Sequence, residues 1–143
     1  MNARERKAFG EYVRWCADAF GLRNWTFHVK YDVDIEDDEY GRCEPTFGRK
    51  VANLYFHSDL PEMDRDVLRH TVIHELPHCH HAQVQEFMRT DMVKHFSQAA
   101  YDLMFSAFVT MHEYAIDGVA SAIDRHFPLI QWPEKTKGRG KGK

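Results

Sequence analysis

The sequence is poor in the devices that small proteins use in place of a core. Its three cysteines, Cys16, Cys43 and Cys79, are an odd number with no CxxC pair. That argues against a disulfide framework and against a structural zinc site built from four cysteines. No apolar run approaches the roughly 18 residues of a membrane span. The opening MNARERKAFG is polar and lacks the apolar stretch of a secretory signal. The acidic run from Asp34 to Glu39 lacks the spaced ligands and the glycine of an EF-hand loop, so a solvated turn is expected there. These absences point to a reducing, cytoplasmic setting with no membrane partner. A basic body is missing too. Formal net charge is −3, and Lys135 to Lys143 carry five basic groups and no acid, leaving 14 basic against 22 acidic groups elsewhere. An acidic body argues against extended nucleic-acid binding. The Gly- and Lys-rich tail, residues 135–143, is expected to be disordered and to touch nucleic acid only weakly, through phosphate charge.

What is present suits one folded domain over residues 1–134. The chain has 143 residues, enough to bury a core without cross-links. Phe9, Tyr12, Val13, Cys16 and Phe20 recur at helical steps over 2–20, and Gly21 is a natural stop. Residues 25–33 alternate, with Trp25, Phe27, Val29, Tyr31 and Val33 on one side, as in a half-buried strand. Two further strands are expected near 40–47 and 50–57, joined by a turn at Gly48 and Arg49. Pro45 suits an edge position or a bulge. Helical periodicity starts near Asp64 and runs into the eighties. After a cap at Thr90 or Asp91 it returns over 92–126, until Phe127-Pro128 ends it and Trp132-Pro133 tethers the exit. The order is an N-terminal helix, a small three-stranded sheet and then helices, an α+β layout.

Ten histidines are the unusual count. Two of them frame Thr71-Val72-Ile73-His74-Glu75-Leu76-Pro77-His78, an H-E-x-x-H on an expected helix. Four residues make about one turn, so His74 and His78 project from one face and can hold one ion. Glu75 lies about 100° around the helix, near such an ion without ligating it, where it can take a proton from the attacking water. A catalytic zinc site uses three protein ligands and leaves one position open. Glu113, in His112-Glu113-Tyr114-Ala115-Ile116-Asp117, is the expected third ligand. Asp117, one turn later, is expected to accept the other ring N–H of a zinc-bound histidine. Such a carboxylate pair in an otherwise apolar helix is costly to bury unless something pairs with it.

HELPH resembles the active helix of thermolysin-like metallopeptidases, and Glu113 with Asp117 resembles the ExxxD glutamate helix of the gluzincins. The resemblance implies a zincin-like fold, Zn2+ as cofactor, a peptide or protein substrate and hydrolysis by metal-activated water. It implies His74, His78 and Glu113 as ligands, Glu75 as general base and Asp117 as the partner of a ligand imidazole. The outline also resembles the minimal zincin-like peptidases of bacteria and phages, whose edge strand aligns an extended substrate; Val51 to His57 is expected to be that strand.

Several features set further expectations. Pro77 removes a backbone hydrogen bond and clashes with the carbonyl of Ile73, so the helix is expected to kink at the site or to end soon after it. A straight helix starting at 92 carries Glu113 too far to meet His78, so a break is expected between about 104 and 111. His70, His74, His78 and His81 share one stripe, which makes His81 a rival third ligand. His112 is a candidate for stabilising an oxyanion, as are Tyr101 and Tyr114. Cys79 is expected in the core; His28, His57, His95 and His126 are expected to be structural or exposed. A zincin fold that holds metal structurally, as an interaction module without activity, is the alternative reading. An exchangeable fourth ligand position separates the two.

Overall fold

A computed structural model describes residues 1–31, 39–57 and 59–134. The expected turn at 34–39, apart from Glu39, and the basic tail lie outside the described residues. Helix α1 spans Ala3–Ala19. It begins on a capping box: Asn2 Oδ1 accepts from the amides of Arg4 and Glu5, and Glu5 Oε2 accepts from the Asn2 amide at 2.7 Å. It ends on Gly21 at φ 73°, with the Leu22 amide bonded to Ala17 O and the Gly21 amide to Asp18 O. That is a Schellman motif, whose left-handed residue favours glycine.

Strands β1 (Thr26–Tyr31), β2 (Gly41–Thr46) and β3 (Val51–Phe56) follow. Their order is β1-β3-β2, with β3 parallel to β1 and antiparallel to β2. Gly48, at φ 68°, lies in the β2–β3 turn. The expectation that Val51 to His57 forms an edge strand is therefore corrected. The turn pairs β3 with β2, and the longer connection after β1 lets β1 take β3's other side. The edges are β1 and β2, and Pro45 lies on the β2 edge as its missing N–H allows. Ala52, Leu54 and Phe56 alternate inward from β3 and are fully buried.

After a 3-10 turn at Leu60–Glu62, helix α2 runs Arg65–Glu75 from an Asp64 cap whose Oδ1 accepts from Asp66 and Val67. Helix α3 runs His78–Thr90 and helix α4 Gln98–Ile123. Cap and continuity of α4 both differ from expectation. Ser97 caps it, its Oγ accepting from the Ala100 amide at 3.4 Å, while Thr90 closes α3 by bonding Glu86 O. The 26-residue helix is unbroken. No break is needed because it starts at Gln98: Glu113 lies roughly 22 Å along it, and His78 roughly 18 Å before the end of α3. A simple antiparallel return makes them meet. Among the described residues no helix is long and apolar enough to cross a membrane.

The core joins α1 (Phe9, Val13, Cys16, Ala17), the inner face of β3 and the apolar side of α2 (Leu68, Val72, Ile73, Leu76), with Ala120 and Ile130 closing it. Phe9 stands edge-on to Phe56 at 4.9 Å and stacks on Trp132 at 6.2 Å. The exit segment is pinned across α1, with the Tyr12 hydroxyl donating to Pro128 O at 2.9 Å. Helix α4 contributes little to this core. Of its side chains only His112, Ile116 and Ala120 are buried, and Leu103, Met111 and Val119 of its apolar pattern face outward. Because Phe9 joins the helix, the sheet and the exit segment, Phe9→Ala is expected to cost about 3–5 kcal/mol in denaturant unfolding.

Candidate metal centre

Pro77 divides the H-E-x-x-H motif between two helices. Helix α2 ends at Glu75, and α3 begins at His78 with Pro77 as its N-cap residue. Proline has no N–H for the carbonyl of Ile73, so the ladder is interrupted there. Leu76 and Pro77 nevertheless keep helical dihedrals, and the Cys79 and His80 amides bond to Leu76 O and Pro77 O. The helical sense survives, and the rings of His74 and His78 stay 5.5 Å apart. The break falls inside the motif and leaves both imidazoles on one side.

Helix α4 brings Glu113 to that side. Its Oε2 is 3.7 Å from His74 Nε2 and 3.7 Å from His78 Nε2. One ligand atom from each of His74, His78 and Glu113 lies within 4.8 Å of the others. Two imidazole nitrogens and a carboxylate oxygen are a donor set that zinc accepts. Glu75 is buried beside them, its Oε1 3.1 Å from His74 Nδ1 and its Oε2 4.0 Å from His78 Nε2. Asp117 is placed differently from the expectation. Its Oδ1 lies 3.1 Å from His74 Nε2, the nitrogen that also faces Glu113, whereas Glu75 takes the other ring nitrogen. The cause is helical spacing: residues 113 and 117 stack on one face of α4 and reach the same imidazole edge.

The remaining histidines of the stripe are matched by His112 of α4 and by Asp124, just beyond its end. His70 Nδ1 is 2.9 Å from Asp124 Oδ2. His81 Nδ1 is 2.6 Å from His112 Nε2, and His112 Nδ1 is 3.2 Å from Gln85 Nε2. His81 is thus turned onto His112 and does not join the three-donor group. His112 is buried against His78 and His81, which differs from an oxyanion group facing a cleft. Tyr114 is 72% exposed, and Tyr101 stacks on Phe105. Cys79 is buried as expected, while His80 bonds to Phe20 O and His57 to Glu39 O.

The environment separates the two motif histidines. Burial, reinforced by the neighbouring imidazoles of His74, His112 and His81, lowers His78 to about 3. It is therefore neutral at physiological pH, with a lone pair ready for a metal. The bond to Glu75 raises His74, with Asp117 and Glu113 adding to the effect. Burial raises Glu113, and the carboxylates of Glu75 and Asp117 push the same way.

The centre opens into a cleft of ≈ 590 Å³. Its floor is α2 (His70, Thr71, His74, Glu75) and its walls are β2 (Gly41, Arg42, Cys43) and α4 (Val109, Glu113, Asp117). Sequence reasoning did not identify the β2 wall or Gln85 as parts of a site. Gln85 continues the 78–81–85 stripe and was visible by spacing; the β2 wall depends on strand order, which periodicity does not encode. No protein-family model, no curated protein and no solved structure matches the chain.

His74→Ala is expected to lower zinc affinity by more than about 100-fold, the upper end for losing only an outer partner, measured by metal titration and elemental analysis of the folded protein. Zinc surviving this change at full stoichiometry rules out the ligand set. Because His74 is raised and His78 is already neutral, protons compete for His74. Zinc affinity is expected to fall as pH drops below the raised pKa of His74, by about tenfold per pH unit.

Proposed function

We propose that the chain is a zinc-dependent hydrolase of peptide bonds with a zincin-like fold. One observation carries the reading: two imidazoles one turn apart and a glutamate from a separate helix converge at one point, with a buried glutamate beside them. Three donors leave one of the four usual zinc positions open, as a catalytic rather than a structural site does. His81, the rival ligand, is engaged by His112 at 2.6 Å, which supports the same reading over a closed structural site.

Zinc, if bound, would supply Lewis acidity for the scissile carbonyl and lower the pKa of the attacking water toward neutrality. The protein's own groups do the rest. His74, His78 and Glu113 fix the ion. Asp117 lies against His74 Nε2 and adds negative charge beside the place of the ion. Glu75, held by its contact with His74, takes the proton of the attacking water and delivers it to the leaving amine. Among the described residues β2 has an edge with no strand paired to it, available to an extended peptide, and its Gly41, Arg42 and Cys43 line the cleft. This assigns to β2 the aligning role that sequence reasoning gave to 51–57.

Glu75→Gln is expected to retain zinc and to lose about 10²–10⁴-fold in turnover, the span of a general base. The check is hydrolysis of a mixed peptide library by mass spectrometry, with zinc quantified in the same samples. Equal cleavage by the variant, or none by zinc-loaded wild type, favours the alternative of a metal-holding interaction module.

A further inference from the structure

Two of the three cysteines meet at the wall of the cleft. Cys43 comes from β2 and Cys79 from the first turn of α3, and their sulfurs are 3.8 Å apart. All three cysteines are free thiols. Cys16 lies apart from the pair, buried in the core beside Tyr12. A disulfide has an S–S length of about 2.05 Å, so side-chain rotation has to close only about 1.75 Å between Cys43 and Cys79. The two sulfurs differ in access. Cys43 is half-buried and lines the cleft, whereas Cys79 is almost fully buried and borders a separate cavity of ≈ 540 Å³. A small oxidant entering the cleft therefore meets Cys43 first, with Cys79 placed to resolve it.

We propose that Cys43 and Cys79 are a modification site that forms a reversible disulfide with hydrogen peroxide as oxidant, strapping β2 to α3. The Cys43 sulfur attacks one peroxide oxygen and the O–O bond breaks. Cys43 becomes a sulfenic acid and one water leaves. The Cys79 sulfur then attacks the Cys43 sulfur. The S–O bond breaks, and the hydroxyl departs with the Cys79 proton as a second water. Two thiols lose two electrons and the peroxide becomes two waters. A small thiol reverses the bond by exchange. The link joins the β2 wall to the helix that starts at His78, and so fixes the side of the cleft nearest that imidazole. It rests on the sulfur geometry alone and stands or falls independently of zinc binding.

The test exposes the purified full-length protein to hydrogen peroxide, blocks residual thiols after denaturation and maps the peptides by mass spectrometry. Two of the three thiols are expected to escape alkylation. A Cys43–Cys79 cross-linked peptide is expected to appear and to vanish after dithiothreitol. The oxidised monomer is expected to melt roughly 10 °C higher, because the bond closes a loop of some 36 residues in the unfolded chain. Cys16→Ser is expected to give the same cross-link. Cys79→Ser, shown folded by circular dichroism, is expected to carry Cys43 to the sulfinic acid with no cross-link. The proposal is overturned if the wild type returns both cysteines free, both over-oxidised or linked only between chains; that readout needs no variant to fold.

Discussion

The centre depends on an antiparallel ladder between one stripe of histidines and one side of α4 together with the turn that follows it. His70, His74, His78 and His81 rise along α2 and α3, and Asp124, Asp117, Glu113 and His112 answer them in reverse order. Each rung sets a polar side chain of one helix against a polar side chain of the other. A helix with so few buried apolar residues as α4 gains little from core burial, so these rungs hold much of its register. The carboxylates of Glu113 and Asp117 face these imidazoles while staying open to the cleft, so neither is stripped of solvent.

Electrostatics grades the ladder along its length. Near the core, His78 is stripped of solvent and flanked by other imidazoles, so it stays neutral. One turn back, His74 is surrounded by Glu75, Asp117 and Glu113 and favours a proton. Two chemically identical side chains thereby shift in opposite directions because of depth and neighbours alone. Negative charge is concentrated on the cleft side, where an added cation gains most.

Local pattern made most of the elements legible. The period-3.6 stripe and Gly21 stop of α1, the period-2 alternation of β1, the Gly48 turn and the H-E-x-x-H spacing each translated into structure. Capping was less transparent: Thr90, Asp91 and Ser97 are all credible caps, and Ser97 prevailed because a 3-10 turn at Met92–Lys94 intervenes. That shift of a few residues moved Glu113 into reach and removed the need for a break in α4. Strand order lay beyond periodicity, since alternation in 51–57 reads the same at the edge or in the middle of a sheet. The meeting of Cys43 with Cys79 was hidden for the same reason, as it follows from β2 lying against α3.

Pro77 has a consequence for the molecule as a whole. By ending α2 between the two motif histidines, it turns a single rod into a joint, so that a cation there would fasten three separate helices instead of decorating one. The unfolded chain scatters those donors and holds such a cation far less well, so binding energy becomes folding energy. With such a cation the architecture would be tied to supply: chelation would loosen the joint itself, and scarcity of the ion would be felt first as a slackening of α4 against its neighbours.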